Sequence, residues 1–214
     1  IDFQCKSCVF QNDLFYNNGT LQNNGAVNLN VAGTIGGYGQ FNNAGFLKKH
    51  PAAANVTFTQ TLNNTGTVQG LSDNFYFQGA FVNSGAVEAT AGANIQVDGY
   101  NALNSFESGG SITGAGVFTL AANMTVNGDQ TIGVETFVID YYYGLGGTGV
   151  LHFDHVLDWK GGEIGNTVVM SAGSTLNILE SGFAKYLNGT LTNNGTVQCH
   201  ADLLTGSSAL IYQG

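Results

Sequence analysis

The densest run of titratable side chains in this sequence is His152-Phe153-Asp154-His155-Val156-Leu157-Asp158-Trp159. Read as one strand, it puts His152, Asp154 and Val156 on one side and His155 with Phe153 and Leu157 on the other. His152 and Asp154 could reach a metal together with a residue from a neighbouring strand. A polar outer side beside a core side explains the same pattern, so no metal or other cofactor is assigned. Asp154, Asp158 and Glu163 could converge as the carboxylates of a glycoside hydrolase, but nothing in the spacing fixes their geometry. A polysaccharide lyase would need a strong base, often Arg or Lys, and carboxylate-bound calcium. The chain has no Arg, and Lys160 alone stands near acids. A non-enzymatic role is therefore expected, with polysaccharide chemistry as the competing class. Tyr141, Tyr142, Tyr143 and Trp159 could form an aromatic platform for a sugar face or a partner protein, in competition with core packing. Thr57, Thr59 and Thr61 share one side of a strand, which is too few for a flat threonine array.

Cys5-Lys6-Ser7-Cys8 has CxxC spacing, and Cys199 is followed by His200. A redox motif needs a βαβ context, and no helical pattern follows. A zinc site would have to draw its second ligand pair from the far end of the chain. Cys5, Cys8 and Cys199 are thus disulfide candidates, and the odd number leaves one for an intermolecular bond or a thiol. Asn-x-Thr occurs at Asn18, Asn55, Asn63, Asn123, Asn188 and Asn194. These are N-glycosylation candidates if the host glycosylates; turn chemistry alone also produces Asn-Gly-Thr.

Composition excludes several partners. Only 9% of residues are charged, all five basic residues are Lys, and the net charge of −9 comes from 14 scattered acids. Phosphate-backbone binding needs clustered Lys and Arg, so nucleic acid is not a partner, and an anionic membrane surface is disfavoured. No apolar run approaches the roughly 20 residues of a membrane helix. The chain starts at Ile, as a processed or excised piece of a longer protein would.

The element that must position all these residues is a repeat. Asn24-Gly25-Ala26-Val27 returns as Asn43-Ala44-Gly45-Phe46-Leu47, Asn64-Thr65-Gly66-Thr67-Val68 and Asn83-Ser84-Gly85-Ala86-Val87, and again as Asn194-Gly195-Thr196-Val197. The glycine spacings are 45−25 = 20, 66−45 = 21 and 85−66 = 19. Such a period suits one turn of a β-solenoid; a leucine-rich repeat would need Leu at fixed positions, which are absent. Asn and Gly tolerate positive φ and permit a corner, and the Thr, Val, Ile and Phe that follow favour a half-buried strand. A winding cannot bury its apolar side alone and must stack on the next. Apolar residues nowhere keep helical spacing for three turns, so the fold is expected to be all-β.

Residues 1–214 are read as a single β-helix domain of about ten coils, about 45–50 Å long at the strand spacing of a sheet. Residues 1–13 form a lead-in segment. Residues 48–54, with the sole Pro, and 98–111 are expected to be loops, and 140–165 an irregular aromatic-rich coil. Asn24, Asn43, Asn64 and Asn83 are expected to stack as an amide ladder along one corner.

Strings such as Leu62-Asn63-Asn64-Thr65-Gly66-Thr67-Val68 and Phe81-Val82-Asn83-Ser84-Gly85-Ala86-Val87 resemble the repeats of right-handed parallel β-helix surface proteins. Autotransporter passenger domains and filamentous-haemagglutinin-like adhesins are the families meant. The resemblance covers most of residues 15–135 and 166–200 and defines no catalytic residue. It implies an extracellular, elongated protein used for adhesion or as a structural stalk. The cysteines depart from it, since such passengers are often cysteine-poor, and they leave a eukaryotic surface filament open. An open solenoid end exposes unpaired strand groups, so the expected partners are other copies stacked head to tail, with glycans as the alternative ligand.

Overall fold

A computed structural model of the chain describes residues 3–10, 14–99, 102–200 and 210–212. It is a parallel β-solenoid of about nine turns, and there is no helix among the described residues. Each turn lays down three short strands, and each strand pairs in parallel with its counterpart one turn away. Face A includes Gln40–Asn43, Thr61–Asn64, Phe81–Asn83 and Gly162–Ile164. Face B includes Phe46–Lys49, Thr67–Gly70, Ala86–Ala89 and Val150–Phe153. Face C includes Val56–Phe58, Asp73–Phe77, Ala93–Val97 and Val156–Trp159. Thr20–Leu29 bends from A to B without a break, and Ser111–Leu120 and Gln130–Ile139 bend from B to C.

Alternation decides what lies inside, because successive strand residues point to opposite sides. On face A the column Leu21, Phe41, Leu62, Phe81 is buried in register. On face C the column Ile35, Phe58, Phe77, Val97, Leu120, Ile139, Trp159, Ile178 does the same. Phenylalanine rings meet along the interior, from Phe41–Phe58 at 5.4 Å between centroids to Phe137–Phe153 at 5.3 Å. The buried residues form one continuous core.

At the A–B edge the turns lie close together. Asn23, Asn43, Asn64 and Asn83 point inward there and are at most 1% exposed. Asn23 Nδ2 donates to Asn43 Oδ1 (2.6 Å), Asn43 Nδ2 to Asn64 Oδ1 (2.7 Å) and Asn64 Nδ2 to Asn83 Oδ1 (2.7 Å). The ladder expected from the sequence is thus present with one correction: its first rung is Asn23, while Asn24 is exposed and accepts from Gln22. Strand alternation from buried Leu21 puts the earlier Asn inside. The reason for glycine at this edge also differs from the one expected. Gly25, Gly45, Gly66 and Gly85 do not have positive φ. Gly45, Gly66 and Gly85 are glycine because turns stack carbonyl against α-carbon: a Cβ on Gly45 would overlap the carbonyl oxygen of Gly25, one on Gly66 that of Gly45, and one on Gly85 that of Gly66. Those carbonyls accept the next turn's amides: Thr67 N–H donates to Gly45 O and Ala86 N–H to Gly66 O, each at 2.8 Å.

Three further expectations change. Asn194-Gly195 is not the same corner as Asn43-Gly45, because Thr190–Asn193 lies on face B and Thr196–Cys199 on face C. The equivalent A–B corner is Asn188-Gly189. Residues 140–165 are not an irregular coil, since Leu145–Gly147, Val150–Phe153, Val156–Trp159 and Gly162–Ile164 are all in register with their neighbours. Likewise Asn104–Phe106 is a strand inside the expected loop 98–111.

Lys48 and Lys49 end a face B strand rather than opening a loop. Lys49 follows the alternation inward and is fully buried, its Nζ donating to Ala53 O (2.5 Å) and Ser72 O (2.6 Å). Burial pushes this amine below its ordinary 10.5, partly offset by the negative charge of Asp73.

Two outcomes follow for stability. Asn64→Ala strips partners from Asn43 and Asn83 and is expected to cost about 2–4 kcal/mol in urea unfolding. Asn24→Ala should stay within about 0.5 kcal/mol, and an equal cost for the two would contradict the ladder. For Lys49, the folded chain binds fewer protons than the unfolded one between the lowered pKa and 10.5. Stability should therefore rise with pH through that window, and Lys49→Met should flatten the rise measured against wild type.

Candidate functional site

The C–A edge is where the turns differ most. It is two residues long at Lys160-Gly161, between strands ending at Trp159 and beginning at Gly162, but longer in the turns before and after, at 140–144 and 179–184. The short edge is sunk: a Cβ on Gly161 would overlap Tyr141 O and press on Phe183 Cβ, and Gly162 has φ +75° with Tyr143 O against its α-carbon. The two longer loops consequently meet over it. The Phe183 ring packs edge-on to Tyr141 at 5.0 Å and to Tyr142 at 4.3 Å. Tyr141 holds φ +51°, a left-handed conformation rare for an aromatic residue. Such conformations persist where the surroundings impose them and concentrate at functional sites.

Tyr142 is 74% exposed and stands between two cavities. One, of about 420 Å³, is lined by Asn123, Thr125, Gly144, Gly146, Tyr142 and Glu163. The other, of about 310 Å³, is walled by Tyr141, Tyr142, Phe183, Tyr186 and Glu163. Glu163 and Tyr186 come together because they are register partners one turn apart on the outer side of face A. Glu163 Oε1 accepts from Asn188 Nδ2 at 3.0 Å, and Asn123 Oδ1 accepts from Gly144 N at 3.1 Å. Lys185 sits beneath this surface, 1% exposed, with Nζ donating to Phe183 O at 3.3 Å. Burial pushes its amine below the ordinary value, partly offset by Cys199. Lys160 pairs with Asp140 at 3.6 Å. The site thus offers aromatic rings, amides and one carboxylate.

The expected platform is corrected in two of its four residues. Tyr141 and Tyr142 line the site. Trp159 does not: it occupies the face C core column, is fully buried, and donates Nε1–H to Gly161 O at 2.9 Å. Tyr143 is half-buried and lines neither cavity. Phe183 and Tyr186 take their place. The sequence signal for them was the Gly161-Gly162 pair flanked by two longer interruptions of the repeat.

The titratable run does not gather into one site. His152 faces outward on face B, and Asp154 and His155 are exposed at the B–C edge rather than on opposite sides of one strand. Asp158 lies on face C and accepts from Asn177 Nδ2 at 2.8 Å, while Asp154 accepts from Ser171 Oγ at 2.8 Å. Asp154, Asp158 and Glu163 therefore occupy an edge and two other faces and do not converge. No group of three or more His, Cys, Asp or Glu that could hold a metal occurs among the described residues. Thr57 lies on face C, Thr59 at an edge and Thr61 on face A, so they form no array.

Cys5 and Cys8 lie on Phe3–Phe10, in register with Asn23 and Val27. Cys199 pairs in register with Ile178 at the other end. Most of the turns, at about 4.8 Å each, separate them, far beyond disulfide reach within one chain. The disulfide expected from the sequence is not formed among the described residues. Of the six sequon asparagines, Asn18, Asn55, Asn123, Asn188 and Asn194 are exposed. Asn63 is half-buried, its Nδ2 donating to Asn42 Oδ1 at 2.8 Å.

Comparison of the chain with protein families, with curated proteins and with solved structures gave no match.

Proposed function

We propose that this chain is a non-enzymatic extracellular rod of the β-helix surface-protein kind, right-handed as parallel crossovers almost always are, and that it binds glycans through the C–A edge. The observation that carries this is the cluster of exposed Tyr141, Tyr142 and Tyr186 around half-buried Phe183, beside Glu163 and Asn123. Aromatic faces ringed by a few polar groups suit a sugar, which is apolar above and below its ring and polar around it. The dispersal of Asp154, Asp158 and Glu163 favours binding over hydrolysis, which needs two carboxylates across one bond. Exposed asparagines at the corners suit a surface location, where sequons can be glycosylated.

A glycan array followed by titration calorimetry tests the reading. Wild type is expected to bind at least one oligosaccharide class, and Tyr142→Ala to weaken that binding about tenfold while leaving the melting temperature within a few degrees, since the ring is largely solvated. Binding that is absent in wild type, or undiminished in Tyr142→Ala, would refute it.

A second reading has its own observation. Val197, on the face C strand Thr196–Cys199 near the far end of the described residues, is 44% exposed. A second copy stacked there would continue the sheets as a heterologous, open-ended contact. Negative-stain images of the purified chain should then show filaments whose length grows with concentration, and isolated short rods at all concentrations would exclude this assembly.

A further inference from the structure

The glycan site has a charge as well as a shape. Glu163 lines both cavities, and no cation faces it among the described residues. The two lysines nearby are otherwise engaged: Lys160 pairs with Asp140, and Lys185 is buried under Phe183. Its one hydrogen bond in the structure, from the Asn188 amide, leaves the carboxylate's charge uncompensated. Tyrosine rings stand around it, and aromatic faces attract cations by their quadrupole. The chain as a whole carries −9, so acidic sugars are repelled and cationic ones drawn in.

We infer that the ligand is an amine-bearing glycan, a chain of hexosamines without N-acetyl groups, held with one sugar ring on Tyr142 and its ammonium between Glu163 and the tyrosine faces. This inference rests on the glycan reading above and names the ligand's chemistry. The two cavities share Tyr142 and Glu163 and lie on successive turns, about 4.8 Å apart. That offset gives room for two neighbouring sugars of one chain, the first in the aromatic cavity and the second against Asn123 and Thr125.

The test is titration calorimetry at pH 6 with three trisaccharides: of glucosamine, of N-acetylglucosamine and of galacturonate. Wild type is expected to bind the glucosamine trimer at least fivefold more tightly than the acetylated one, and the galacturonate trimer weakest. Glu163→Gln should remove that preference while keeping the acetylated trimer's affinity within about twofold. Glu135→Gln, an exposed carboxylate on another edge, should leave the preference unchanged, which separates local recognition from general attraction to an acidic protein. Equal binding of the amine and acetylated trimers, or a preference that survives Glu163→Gln or is lost equally in Glu135→Gln, overturns the inference and leaves glycan binding standing. Failure of all three trimers to bind overturns the inference, while the wider array decides the glycan reading separately.

Discussion

Everything in this solenoid depends on how closely one turn lies on the next at the A–B edge. There the carbonyl of one corner glycine sits where the next glycine's Cβ would be, and it accepts the amide of the residue that follows that next glycine. The glycines are chosen by contact, since their φ angles are ones any residue could adopt. A carbonyl used this way fixes the distance between turns, and the distance in turn lets the amides of Asn23, Asn43, Asn64 and Asn83 reach one another inside. Each amide in that column both gives and receives, so the polar stack satisfies itself in a position without water. Beyond Asn83 the column changes to Phe106, and the edge lengthens to include Gly109 and Gly110. The ladder ends where that corner lengthens, and when two-residue corners return at 148–149, 165–166 and 188–189 they carry no amide column.

Once the spacing is fixed, the interior is a set of columns read by alternation. That rule is strong enough to draw in residues whose chemistry argues otherwise. Lys49 follows Leu47 inward and is kept there by two carbonyls, one from the adjoining B–C loop and one from the next turn. Trp159 follows Leu157 inward and satisfies its indole N–H on Gly161. Both show burial set by strand phase first, with polar groups then satisfied locally.

Much of this was legible in the sequence. Period, all-parallel sheets and three of the four ladder rungs follow from spacings of Asn and Gly. What failed was phase, not pattern. Asn23 and Asn24 are adjacent, and only counting from Leu21 separates them. Asn194-Gly195 repeats the motif's letters on another edge, because any solenoid corner can use the same turn residues. The aromatic site was half legible: Tyr141 and Tyr142 stand out locally, but Phe183 reaches them across two turns. That contact depends on how far the intervening edge is sunk, a property of Gly161 and Gly162 that no window centred on the tyrosines contains.

The position of the site follows from the same constraint that builds the fold. At Gly161 the carbonyl of Tyr141 sits where a Cβ would be, so that edge stays low and the rings stand on the longer loops beside it. Tyr38, Tyr141 and Tyr142 are exposed at the C–A edge and Tyr16 ends the strand that enters it, while Phe46 begins a face B strand and Tyr186 lies on face A. Among the described residues of that edge, Tyr141 and Tyr142 are braced by a second loop, through Phe183, and adjoin an outward carboxylate, Glu163. Tyr38 lies over a shallower cavity lined by glycines, alanines, threonines and Gln60, with no ring contact and no charge. The backbone strain at Tyr141 belongs with this bracing: φ +51° is what aims its ring across the sunken turn at Phe183, and the packing of that pair holds the conformation in place. A ring held against its own backbone preference, beside a carboxylate that no cation faces among the described residues, is the kind of feature that concentrates at functional sites.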